Sequence, residues 1–272
     1  MLAGKVFPRI CAYRLLPILS RMKHLKRIFK IWAFLASAVI ASAAGHGSEK
    51  ILIVVTNHGE LGQTGERTGY FLAEAAHPWK VFKEAGYTVE FASPEGGYAP
   101  MDPKSFDLED PVNKELWHDL AAVENLVHTK SLSALDRDDY AAVFFAGGHG
   151  TMYDFPDSPE IQAIVRSFIE SEKPVGAVCH GPAALVNVTL SDGTHLLKDR
   201  SVNGFTNEEE SGVGLTEVMP FLLESAMKEA GGNFRKSAPF EAHVAVDGPL
   251  VTGQNPASAT NAAEAIVRLL QN

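Results

Sequence analysis

Lys173-Pro174-Val175-Gly176-Ala177-Val178-Cys179-His180-Gly181-Pro182-Ala183-Ala184-Leu185 decides how this chain is read. Val175, Gly176, Ala177 and Val178 form a small, apolar, β-compatible run, too short for anything but a buried strand. Gly181-Pro182 breaks that strand, and the Ala/Leu-rich run beyond predicts a helix with Pro182 in its first turn. Cys179 then stands on a tight strand-to-helix turn, its sulfur aimed at the positive end of the next helix, where a reactive thiolate is stabilised. His180 supplies an imidazole that can orient the sulfur or move a proton. A buried structural cysteine is the alternative, since free cysteine is among the most buried residue types. A sharp turn with glycine two residues on is a poor place for inert packing, so Cys179 is read as a nucleophile.

Working outward, residues 51–55 (ILIVV) read as the first, central strand of a parallel sheet. Residues 67–85 show helical spacing closed by Gly86, and residues 87–92 come next as a second strand, which makes a βαβ unit. Residues 93–130 are irregular and proline-rich, the pattern of a lid or cap inserted over a site. Residues 139–145 give the next strand, ending in Ala146-Gly147-Gly148-His149-Gly150, and residues 159–171 a helix. Downstream come the loop Asn203-Gly204-Phe205-Thr206, the acidic run Glu208-Glu209-Glu210, and a helix over about residues 216–230. Two late strands (243–246 and 250–252) meet at the Asp247-Gly248 turn, and a helix over 257–270 closes the chain. The alternation predicts an α/β fold: a doubly wound, mostly parallel, flavodoxin-like sheet with helices on both faces and a small cap insertion. Sites are expected at the carboxyl ends of its strands.

The chain has 272 residues, 46% apolar and 21% charged, which is ordinary globular composition. Its net charge of −9 conceals an asymmetry. Residues 1–43 hold eight Lys/Arg and no acid, so the remainder carries sixteen basic against 33 acidic side chains, a net of −17. Such a surface repels phosphate backbones and argues against nucleic-acid partners. At the N-terminus, Met22-Lys23-His24-Leu25-Lys26-Arg27 reads as a positive n-region, residues 31–40 as an apolar h-region, and Ala41-Ser42-Ala43 as a small-x-small cleavage pattern. The uncharged run of residues 31–44 is shorter than a membrane span, which needs roughly 20 residues. Residues 1–44 are therefore expected to be a secretory signal with an upstream extension, cleaved near Ala43/Ala44, and Met22 the true start. Residues 45–272 are expected to form a single exported, periplasmic domain. Cys11 and Cys179 are the only cysteines, so the exported domain keeps one thiol and no internal disulfide.

Further chemistry is carried by four features. The backbone amides of Gly147-Gly148 at a strand end suit an oxyanion hole, although a glycine-rich packing turn reads the same way. Glu74 lies on the helix face toward the strand ends, as either a site acid or a solvated one. Of Glu208-Glu209-Glu210, two are expected to be solvated, while one is a source of the acid that His180 needs to fix its tautomer. The histidines at 77, 128, 149, 180 and 243 are scattered without HxH or HExxH spacing, which argues against a structural zinc.

Ala177-Val178-Cys179-His180-Gly181-Pro182-Ala183, with Ala146-Gly147-Gly148-His149-Gly150-Thr151 upstream, resembles the ThiJ/PfpI superfamily with its glutamine-amidotransferase-like fold. Thr68-Gly69-Tyr70-Phe71 leading to Glu74 and His77-Pro78, Asn203-Gly204-Phe205-Thr206, and the run from Leu250 to Ser258 resemble its heat-shock chaperone/glyoxalase III branch. The resemblance implies Cys179 as nucleophile, His180 as its partner, and Glu210 as the third member of a triad, with Glu209 the fallback. It implies Glu74 as a buried acid against the sulfur, an oxyanion hole from the amides of Gly148 and His180, and a homodimer. Some branch members hold a metal by two histidines and a carboxylate near the His-Pro pair. Here His77 is followed by Trp79 and Lys80, so no metal and no other cofactor is expected.

The implied reaction is glutathione-independent conversion of a 2-oxoaldehyde such as methylglyoxal to a 2-hydroxy acid through a Cys179 hemithioacetal, with Glu74 or His180 moving the proton between carbons. Protein deglycation is a variant of this chemistry, with glycated proteins as substrates. A stress holdase for unfolded proteins and a cysteine peptidase or amidase are the alternatives. Intact-mass analysis of the chain recovered from an exporting host is expected to find it beginning near Gly45. An N-terminus at Met1 on the mature protein would refute both the signal and the Met22 start.

Overall fold

A computed structural model describes residues 50–272. The segment expected to be a signal, the expected start at Met22 and Cys11 lie outside the described residues. Ile51, Leu52, Ile53 and Val54 are buried without remainder, as a strand covered on both faces requires. They belong to β1 (Lys50–Val54), which pairs in parallel with β2 (Thr88–Ser93) on one side and β4 (Tyr140–Phe145) on the other. The sheet continues from β2 to the two-residue β3 (Lys130–Ser131), and from β4 through β5 (Val175–Val178) to β9 (Leu250–Gly253) and β8 (Val244–Asp247). Its order is β3-β2-β1-β4-β5-β9-β8, all parallel except the edge strand β8. Two further two-residue strands, β6 (Ser201–Val202) and β7 (Asn233–Phe234), pair separately. This is the expected doubly wound architecture.

Helix α1 (Leu72–Glu84) packs against the closing helix, which we label α8 (Ala259–Leu270), and α8 lies over β5 and β9. Small residues on the buried side of α8 (Ala259, Ala262, Ala263) let the two helices approach closely. Gly176 serves the same layer. A Cβ there would stand 2.4 Å from the Phe144 ring, so only glycine leaves room for that ring in the neighbouring strand.

Three segments depart from the sequence reading. The helix expected over 67–85 begins only at Leu72, because the preceding loop is drawn into backbone hydrogen bonds: Tyr70 donates to Pro100 O, and Asp102 donates back to Tyr70 O. Residues 93–130 are not an open cap. They contain α2 (Pro111–His118) and α3 (Leu120–Val127), capped by Asp110 and Asp119, and α2 packs on α1. His77 fastens this segment down, with Nε2 2.9 Å from Asp110 Oδ2 and Nδ1 2.8 Å from Thr260 Oγ1 of α8.

The helix expected over 216–230 is shortened. The acidic run forms the first turn of α6 (Asn207–Gly212), after two intervening helices, α4 (Thr151–Asp154) and α5 (Pro159–Glu170). Within 216–230 only Leu223–Glu229 (α7) is helical. Pro220 disfavours helical backbone at Met219, while the Thr206/Glu209 capping box starts a helix earlier and sets three acids at its positive end.

Candidate active site

The site forms where the carboxyl ends of β4 and β5 meet the first turn of α1 and the start of α6. Cys179 succeeds β5 with φ +59°, the left-handed region that a residue with a Cβ adopts only when its surroundings hold it there. Cys179 N–H donates to Gly253 O at 2.9 Å, and Phe205 N–H donates to Cys179 O at 2.8 Å. Gly181 is pressed so closely on β4 that a Cβ would lie 2.2 Å from Phe145 O. The chain beyond His180 forms a five-residue 3₁₀ turn (Gly181–Leu185), too short to supply the helix dipole expected to stabilise a thiolate.

The three residues read as a triad are brought together. His180 Nδ1 lies 3.3 Å from Cys179 Sγ, and His180 Nε2 lies 2.8 Å from Glu210 Oε2. Burial raises the Glu210 carboxyl, but hydrogen bonds from His149 and His180 outweigh it and hold the group at about 2. It is an anion at neutral pH. His180 is held down to about 4, first by burial and then by the neighbouring His149, so it rests as a neutral imidazole. The Cys179 thiol is pushed well up by burial and by the Glu74 carboxyl. The resting pair is therefore neutral thiol and neutral imidazole, a correction to the helix-stabilised thiolate read from the sequence.

Glu74 is wholly buried on α1, which removes the solvated alternative. Its Oε2 accepts Gly147 N–H at 2.8 Å, while Oε1 lacks a fully formed hydrogen bond, and the carboxyl's other polar neighbour is the Cys179 thiol. Burial pushes this carboxyl up to about 8, so at neutral pH it keeps its proton beside the sulfur. The Gly147-Gly148 turn is both a packing device and an amide donor. Gly148 has φ +106°, and a Cβ there would stand 2.3 Å from Gly69 O. Thr151 Oγ1 donates to Gly148 O (2.9 Å) or His180 O (3.0 Å), tying the two loops together, while the N–H groups of Gly148 and His180 donate to no protein oxygen among the described residues.

Glu209, the fallback acid, is wholly buried and turned away from His180. Its Oε2 accepts Thr206 N–H and Oγ1–H, and its Oε1 accepts Phe240 N–H (2.8 Å), Asn255 Nδ2 (2.8 Å) and Gln254 Nε2 (3.1 Å). It is a strut that joins the start of α6, the Phe240 loop and the exit of β9. Of the three acids only Glu208 is solvated. Beside Cys179 lies a cavity of about 210 Å³ walled by Phe71, His149, Phe205, Val213, Phe240 and Pro256. None of its lining residues comes from 93–130, so the expected lid does not border it. A larger, open hollow of about 390 Å³ elsewhere contains His195, whose two ring nitrogens are already committed to Val186 O and Leu197 N–H.

The DJ-1/PfpI family model matches residues 68–269. The chain belongs to the DJ-1/PfpI family. It is 32% identical to Glyoxalase 3 of Candida albicans over 80% of this chain and 97% of that protein. It is 31% identical to the glutathione-independent glyoxalase HSP31 of Saccharomyces cerevisiae over 82% of this chain and 99% of that protein. Among solved structures it resembles Rapid Encystment Protein 24 KDa of Francisella tularensis (38% identity, TM-score 0.80, covering 82% of this chain and 100% of that chain). It also resembles glyoxalase III from Candida albicans (31% identity, TM-score 0.76, covering 82% and 97%).

Within this DJ-1/PfpI site, the sequence reading missed His149 and the aromatic wall. His149 Nε2 lies 3.0 Å from Glu210 Oε1, and its ring centroid is 4.2 Å from that of His180. Its one signal is a histidine set among glycines at a strand end. Phe205, which stacks 4.5 Å from His180, is visible in the sequence only as part of a motif, and Phe240 has no signal at all. For a metal, His149, His180 and Glu210 place donor atoms within 4.8 Å of one another, the one such group among the described residues. Their mutual hydrogen bonds account for that spacing. At His77 the structure supplies a carboxylate, Asp110, that the sequence window did not contain, but no second imidazole joins them.

Glu209→Ala strands five donors, four of them buried, and is expected to cost about 3–5 kcal/mol in urea unfolding; a loss below about 1 kcal/mol would contradict the strut. Because the thiol is raised, its alkylation by iodoacetamide is expected to quicken with pH through and above neutrality, without a plateau on the acid side. Above the pH of about 8 at which Glu74 itself loses its proton, its carboxylate opposes the thiolate; Glu74→Gln removes that charge, so its profile should move to lower pH. Superimposed profiles, or a move to higher pH, would show the assigned cause to be wrong.

Proposed function

We propose that this chain is a glutathione-independent glyoxalase that converts 2-oxoaldehydes of the methylglyoxal type to 2-hydroxy acids. The observation that carries this reading is the hydrogen-bonded set Cys179–His180–Glu210 at a strained elbow, in a chain that aligns over 80–82% of its length with 97–99% of curated glyoxalases. His180 takes the thiol proton as Cys179 attacks the aldehyde carbon, which forms the hemithioacetal. Glu210 holds the His180 tautomer and stabilises the imidazolium that results. The Gly148 amide donates to no protein oxygen among the described residues, and the His180 amide faces the Cys179 sulfur, so both lie beside the oxygen on which charge develops. Glu74, protonated beside the sulfur, limits the charge there and can donate to it. Transfer of a proton from C1 to C2 then yields a thioester, and water releases the hydroxy acid and the thiol. The enzyme's own thiol takes the part that glutathione would otherwise play.

The walls formed by Phe205, Val213 and Phe240 leave room for a small substrate and disfavour the peptidase or amidase reading. Deglycation would need a glycated side chain to enter past Phe240. A holdase activity is the second reading. The 93–130 segment exposes Leu120 (82%), Tyr98 (65%) and Phe106 (44%), apolar surface that unfolded chains could cover. Homodimerisation and export of the 45–272 domain belong to the same proposal, the first resting on resemblance and the second on residues 22–44.

The decisive assay supplies the reduced protein with methylglyoxal and no glutathione. Lactate is expected, with Cys179→Ala at least roughly 10³-fold slower and its suppression of client aggregation unchanged. Full activity in Cys179→Ala, or none in the intact reduced protein, would overturn the enzymatic reading.

A further inference from the structure

One carboxylate in this site serves two imidazoles. Glu210 Oε2 faces His180 Nε2, and Oε1 faces His149 Nε2, at 2.8 and 3.0 Å. An ionised carboxylate can only accept, so each ring carries its proton on Nε2 and a lone pair on Nδ1. The His180 lone pair is spent on Cys179 Sγ. The His149 Nδ1 lone pair has no partner among the described residues, and the ring lines the cavity beside the sulfur. Its side chain is only 15% exposed, so bulk water does not swamp it.

The reaction needs such a group. After attack, His180 holds the thiol proton and must deliver it to the aldehyde oxygen. Glu74 keeps its own proton at neutral pH and has no vacant site to take another. Glu74 is thus occupied, and His180, neutral again once that proton is delivered, has its Nδ1 turned to the sulfur.

Building on the glyoxalase reading, we propose that His149 is a further catalytic residue, the base that carries the proton from C1 to C2. Its Nδ1 takes the C1 hydrogen of the hemithioacetal as a proton. The C1–H electron pair becomes the C1=C2 bond of an enediolate while the C2 carbonyl pair moves to oxygen. The same proton then returns to C2, and the C1 hydroxyl proton passes to the C2 oxygen as the C1 carbonyl forms. C1 is oxidised and C2 reduced by two electrons within one molecule, so no outside oxidant takes part. Hydrolysis breaks the C–S bond and restores the thiol.

The test compares wild type with His149→Gln, which keeps an amide donor for Glu210 and has no basic lone pair. Turnover of methylglyoxal is expected to fall about 10²–10⁴-fold in kcat with KM changed far less. Iodoacetamide should alkylate Cys179 at the wild-type rate, and mass spectrometry should find the methylglyoxal adduct on Cys179 accumulating. Added imidazole should restore turnover to His149→Ala. A kcat within about threefold of wild type would overturn the role of His149 while leaving the glyoxalase reading intact. Parallel loss of thiol alkylation would also overturn it, because His149 would then act only by positioning His180 and Glu210. Absence of turnover in wild type would instead refute the reading on which the proposal stands. Should the glutamine variant not fold, His149→Asn carries the same comparison.

Discussion

The site depends on a backbone conformation that its central residue disfavours. Cys179 sits at φ +59° because three contacts leave no alternative: its amide is pinned to β9, its carbonyl receives Phe205 N–H, and the next glycine lies flat against the end of β4. Any one of these is weak beside the fold, but together they over-determine the turn and lift the sulfur out of line with the strand. From there the remaining parts take fixed places. Phe205, held by the elbow's carbonyl, brings its ring against His180 and delivers the chain to Thr206, which caps α6. The first turn of α6 then presents Glu210 to the imidazole.

Three buried glutamates within this small volume behave differently, and their surroundings decide each. Glu74 has one amide and a thiol for company, too little to offset desolvation, and it stays protonated near neutrality. Glu210 has two imidazole donors and stays ionised. Glu209 is surrounded by five donors from three segments and ties those segments together. A neutral acid beside the sulfur and an anion behind the imidazole are what a resting thiol needs. The first spares the thiolate a second negative charge, and the second makes the imidazole a better acceptor when the thiol gives up its proton.

Much of this is legible in the sequence, and the gaps have physical causes. Strand runs such as ILIVV and VGAV could hardly be anything else, and the turn at Cys179 announces itself through Gly181-Pro182. Glu210 is separable from Glu209 only by counting through a loop. The distinction rests on which side of α6 each residue faces, and that is fixed by the Thr206 capping box. The 93–130 segment misleads because prolines and glycines suggest irregularity, while Asp110 and Asp119 caps hold two short helices against α1. His149 and Phe240 are invisible as site residues because their partners, Glu210 and Glu209, lie 61 and 31 residues away in the chain. The thiol misleads for a related reason. A helix dipole can be inferred from local sequence, whereas burial by distant segments and the approach of Glu74 cannot.

The cavity's character fits the change in charge along the proposed reaction. A 2-oxoaldehyde is neutral, and walls of Phe71, Phe205, Val213 and Phe240 accept it at little desolvation cost. The 2-hydroxy acid is an anion. Among the described residues that line the cavity none is Lys or Arg, and the Glu210 carboxylate, ionised throughout the neutral range, stands behind His180 and His149. A product that arises as an anion among apolar walls and a like charge is less well bound than the substrate it came from. Apolar walls and a like charge then favour release of that product and disfavour substrates that enter already bearing a carboxylate.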